Sequence, residues 1–70
     1  MIARLAGTLV SIGKDSVVVE VGGIGFRVFV PQSLLHDQNA IGQEVVLFTH
    51  LHVRENELTL YGCETEEELD

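Results

Sequence analysis

Tryptophan is absent, cysteine and proline occur once each, and three phenylalanines and one tyrosine are the only aromatics in 70 residues. A core must therefore come from Val, Leu and Ile, which favours strands, and a stacking platform that grips single-stranded nucleic acid is hard to assemble. The lone Cys63 cannot form an internal disulfide, and no basic-then-apolar leader opens the chain, so a reducing, cytoplasmic setting is expected. Basic residues are scarce: four Lys and Arg against eleven Asp and Glu give a net charge of −7, which opposes long-range attraction to a polyanion. Much of that excess lies in Glu64, Glu66, Glu67, Glu68 and Asp70, so the body is less acidic than the total. No apolar run approaches the ~20 residues that cross a bilayer, because Lys14, Glu20, Arg27 and Glu44 interrupt every candidate, and no membrane partner is expected.

What the chain does have is apolar content, 46% of its residues, cut at intervals by turn signals. A chain this short makes at most one domain, burying roughly 60% of its unfolded surface, with marginal stability unless partners help. The turns fall at Gly13-Lys14-Asp15, Gly22-Gly23-Ile24-Gly25, Asn39-Ala40-Ile41-Gly42 and Arg54-Glu55-Asn56. Between them, five strands are predicted near residues 2–12, 17–21, 25–30, 44–53 and 58–61. Phe26, Val28 and Val30 share one face against Arg27 and Phe29. Val45, Leu47, Thr49, Leu51 and Val53 oppose Glu44, Val46, Phe48, His50 and His52. Both faces thus carry apolar groups, which a sheet with one wet side does not need, so a closed barrel together with a subunit interface is expected. Pro31 ends the third strand for want of an N–H, and residues 32–37 form at most a short helical turn. The result is an all-β fold, a five-stranded Greek-key barrel of the OB type over residues 1–63. Residues 64–70 look like the acidic start of a helix, since Thr65 and Glu68 have capping-box spacing and Glu66 and Glu67 suit the positive end of a helix dipole. Only Leu69 and Asp70 follow, too few to bury anything, so the helix is expected to lead into a downstream domain absent here.

The most informative stretch is residues 49–62, two strand-like runs joined by a tight turn whose tip, Arg54, Glu55, Asn56 and Glu57, is crowded with charge. Asn56 stands where tolerance of positive φ is useful, and Glu55 and Glu57 are expected in solvent. The bland alternative is that hairpin tips are polar in any case. Elsewhere the chemistry is thin. His50 and His52 alternate on one strand face, a spacing that can present two imidazoles to a metal, but no further ligand is fixed nearby, and half-exposed strand residues covering apolar neighbours are the commoner outcome. The glycine run lacks the Lys-Ser/Thr ending and helix of a phosphate loop and reads as a hairpin turn. Cys63 has no activating base in sequence, and Ser11, Ser16 and Ser33 lie in no nucleophile motif. No catalytic constellation, metal or cofactor is expected.

The order of motifs is more specific than any one of them: Met1-Ile2-Ala3-Arg4-Leu5-Ala6-Gly7-Thr8, then Val19-Glu20-Val21-Gly22-Gly23-Ile24-Gly25-Phe26, Phe48-Thr49-His50, Val53-Arg54-Glu55 and Leu60-Tyr61-Gly62. Together, in order and spacing across essentially the whole chain, these resemble the N-terminal domain family of RuvA, which binds Holliday junctions. The resemblance implies an OB-fold that helps assemble a homotetramer around a four-way DNA junction in recombination and repair. In the intact family a helix-hairpin-helix domain follows, and then a domain that engages the ATP-driven RuvB motor; the subunit itself is not the ATPase. It also implies that the last turn is an acidic pin near the junction centre, with Glu55 at its first acidic position and Asn56 where the family has aspartate. Arg54 either attracts a phosphate or offsets its acidic neighbours, and Glu57 is close enough to restore part of the charge lost at Asn56. A competing expectation is a structural oligomerisation module whose tip makes no specific DNA contact.

Overall fold

The computed structural model describes residues 3–36 and 38–64, with the backbone alone of Glu57; the predicted helix start at Thr65 to Glu68 lies outside the described residues. Five strands form where the turn signals allow them: β1 (Arg4–Ile12), β2 (Ser16–Val21), β3 (Ile24–Phe29), β4 (Glu44–Arg54) and β5 (Glu57–Cys63). They close into a barrel in the order β1-β2-β3-β5-β4, which is the expected all-β OB-type architecture.

Closure depends on β1 serving two neighbours. Its first half, from Arg4 to Thr8, pairs antiparallel with β4, and its second half, from Thr8 to Ile12, pairs antiparallel with β2. A register shift between Leu9 and Ser11 marks a bulge, which bends the strand between the two sheets it joins. Gly7 precedes that bend. A Cβ built there would collide with the Glu20 carbonyl oxygen and lie 2.8 Å from Val21 Cγ2, so β1 and β2 approach as only glycine permits.

The β2–β3 hairpin is the turn the glycine run predicted. Val21 pairs with Ile24, and the two linking residues have positive φ, 59° at Gly22 and 89° at Gly23, the combination a tight hairpin of matching twist demands. Between β3 and β4 the connector makes the expected short turn, a 3-10 segment at Gln32–Leu34 after Pro31, and a second one at Gln38–Ala40. Backbone bonds tie its end to β1: Gly42 N–H donates to the Leu9 carbonyl at 2.7 Å and Leu9 N–H to the Gln43 carbonyl at 2.9 Å. The barrel is sealed by a short parallel contact between β3 and β5, Val28 against Leu60 and Phe29 against Tyr61.

Inside lie Leu5, Leu9, Val17, Val19, Val28 and Leu47, with Val19 and Val28 fully enclosed. Each such side chain contributes about 1.5–3 kcal/mol through loss of contact with water. The period-two reading puts Val28 and Arg27 on opposite faces, as found: Val28 is buried and Arg27 exposed. Among the described residues, every buried side-chain nitrogen or oxygen has a hydrogen-bond partner, and no helix is long and apolar enough to cross a membrane.

Candidate functional site

β4 is the longest strand, and it outruns its neighbours. β1 accompanies it only as far as the Arg4–Phe48 pair, with one more bond from Thr49 N–H to the Ala3 carbonyl at 3.0 Å. β5 leaves β3 at Leu60 and Tyr61. Past that point β4 and β5 pair only with each other, through His52–Thr59, Val53–Leu58 and Arg54–Glu57, and make a two-stranded arm. Val53 and Leu58 occupy the face that holds Leu51 and Leu60 in the barrel, yet they are 65% and 71% exposed. Alternation assigned Val53 to the correct face; the barrel ends before covering it. Replacing Leu58 by Ser is accordingly expected to shift stability by less than about 0.5 kcal/mol, checked by thermal melting beside the parent protein.

Glu55 and Asn56 form the turn itself, both exposed. The expectation that Asn56 supplies a positive φ is not met: no described non-glycine residue has one. The chain reverses with negative φ at both positions, a geometry open to most residues, so backbone geometry does not require asparagine here. The Glu57 backbone completes the last rung opposite Arg54, and its side chain lies outside the described atoms.

Arg54 is exposed, but it does not fold onto Glu55. Its Nε donates to His52 Nε2 at 3.0 Å, along the outer face that β4 fills with Phe48, His50, His52 and Arg54 in alternation. The His52 ring meets Tyr61 edge-on, centroids 6.3 Å apart and planes at 82°, and Tyr61 packs against Phe29 at 6.0 Å. Sequence reasoning noted the His50–His52 alternation but not that Arg54 is its next member. The signal was in the same period of two.

The His50 and His52 rings are 6.5 Å apart, and among the described residues no group of three or more His, Cys, Asp or Glu could hold a metal. Cys63 is buried, opposite Phe48 in the β4–β5 ladder. The open concavity of about 420 Å³ under the connector is lined mainly by apolar residues such as Leu9, Val17, Leu34 and Leu47. What stands apart is therefore the arm: a narrow β-hairpin that carries an exposed carboxylate at its end.

Fold and arm together define a small OB-type barrel domain with a projecting hairpin that carries an exposed glutamate. The model for the RuvA N terminal domain matches residues 1–62, and the chain belongs to that family. It is 48% identical over 68 residues to the Holliday junction branch migration complex subunit RuvA of Roseiflexus castenholzii, covering 97% of this chain and 34% of that protein. The subunit of the same name from Symbiobacterium thermophilum is 50% identical over 70 residues, 100% of this chain and 34% of the relative. That from Vibrio cholerae is 43% identical over 65 residues, 93% and 32%. The chain thus spans about a third of the length of the curated relatives it matches.

Proposed function

We propose that this chain is the N-terminal module of a Holliday-junction-binding subunit, and that the Arg54 to Glu57 tip is its acidic pin. The observation that carries the reading is Glu55, exposed at the end of an arm that projects past the barrel. Four copies around a four-way junction bring four such arms toward the crossover, where phosphates converge. A carboxylate and a phosphate about 4 Å apart repel by roughly 1 kcal/mol in water. Acting over longer distances and screened by salt, the four copies together come to roughly 1 kcal/mol, enough to disfavour a continuous duplex at the centre. Selection then works by repulsion, which agrees with the acidic balance of the chain.

In this reading the module is non-catalytic. It serves as a homotetrameric cytoplasmic scaffold for branch migration in recombination and repair, with ATP hydrolysis supplied by a RuvB motor that engages another domain of the subunit. Asn56 lowers the charge of the tip by one, and the Glu57 position lies next to it on β5. Glu55→Gln in the full-length protein is expected to narrow the preference for a junction over linear duplex about threefold to tenfold, a loss of roughly 1 kcal/mol, with an unchanged melting temperature. Gel-shift competition reads this directly, and an unaltered preference would remove the pin assignment.

A further inference from the structure

On the outer wall a string of contacts runs from the barrel to the tip. Phe29 of β3 packs on Tyr61 of β5 at 6.0 Å, Tyr61 meets the edge of His52 on β4 at 6.3 Å, and His52 Nε2 accepts from Arg54 Nε at 3.0 Å. The inner end of the string is fixed, because Phe29 and Tyr61 are also neighbours in the backbone ladder that seals β3 to β5. The outer end is the cation beside Glu55. His52 is half-buried, and its Nε2 is the acceptor of the bond from Arg54.

An arginine next to an exposed carboxylate has attractive alternatives to the His52 bond, among them folding onto that carboxylate or reaching an incoming phosphate. Either one cancels at close range the repulsion that Glu55 exerts, since a positive and a negative charge a few ångströms apart present little net field to a third. The bond to His52 holds the guanidinium through Nε, on the side away from the turn. We propose that His52 is a positioning residue of the tip: it retains Arg54 on the outer face of β4, so that Glu55 leads the arm with its charge uncompensated. This rests on the acidic-pin reading above and adds to it the element that sets the effective charge of the pin.

The test uses the full-length protein and two substitutions. His52→Leu keeps bulk against Tyr61 but has no acceptor, while His52→Gln offers an amide oxygen near the place of Nε2. The Nε–H resonance of Arg54 in nitrogen-edited NMR is expected to be protected from solvent exchange in the parent and in His52→Gln, and to exchange freely in His52→Leu. In junction-against-duplex competition, His52→Leu is expected to lose roughly fivefold in preference, the scale of one exposed hydrogen bond, and His52→Gln to recover most of it. In an Arg54→Ala background His52→Leu should change nothing further, because the residue acts through Arg54. An Arg54 resonance unaffected by His52→Leu overturns the proposal whatever the tip does. A released resonance with unchanged preference also overturns it, and Glu55→Gln in the same assay then tells whether the pin reading falls with it. An equal loss in the Arg54→Ala background shows that His52 acts by another route and overturns it as well.

Discussion

Gly7→Ala is expected to destabilise the barrel by about 3 kcal/mol, near the top of the range for overpacking, and to lower the melting temperature by roughly 15 °C for a domain of this size. One methyl group has so large an effect because of what it meets. The new Cβ would strike the Glu20 carbonyl oxygen, part of the β2 backbone, and lie 2.8 Å from Val21 Cγ2. A flexible side chain can swing aside, but a strand backbone moves only with its ladder. Glu20 is held there by pairing with Thr8 on one side and Gly25 on the other. Relief requires β1 and β2 to part at the bend where β1 passes from one partner to the other, and a 70-residue fold has a total stability of only several kcal/mol. Thermal and denaturant melts check this, and a drop of under about 4 °C would mean that the bend yields more cheaply than its geometry indicates.

Reversing the charge at the tip is expected to have the larger functional effect. Glu55→Lys in the full-length protein replaces repulsion of a phosphate by attraction of similar size, so each arm changes sign and affinity for linear duplex is expected to rise about tenfold or more. The gain should fade with added salt, since screening at 0.1 M acts over about 10 Å and each new phosphate contact steepens the salt dependence of binding. Glu55 is exposed in the turn and takes no part in the core, so the melting temperature is expected to stay put. Titrating duplex and junction at two salt concentrations separates the outcomes. A duplex affinity indifferent to the reversal would leave the arm as a structural projection.

Strand positions were readable because alternation and turn residues act locally. The Gly22-Gly23 hairpin, the stop at Pro31 and the alternation around Val28 need no knowledge of distant chain. What escaped depends on where elements end relative to one another. Val53 and Leu58 have core-like identities, and only the shorter reach of β1 and β3 leaves them bare. Gly7 looked like any strand glycine, because the carbonyl that forbids a side chain belongs to a residue on another strand. At Asn56 the tolerance of positive φ goes unused, because the turn closes with negative φ. At the site, the position and acidity of the turn were plain from sequence. The His52–Arg54 bond follows from a rotamer that no spacing rule specifies.

The unaccompanied part of the hairpin sets a mechanical scale. From Leu51 to Glu55 it takes four residue-to-residue steps, about 13 Å at ~3.3 Å each, so a pivot of ~10° at its root displaces the end by about 2 Å. A shift of that size changes a charge separation of about 4 Å by half, and bare Val53 and Leu58 offer nothing to brace one flank. The opposite flank has the Phe29–Tyr61–His52 row, so the two faces of the hairpin meet unlike surroundings, one bare and one packed.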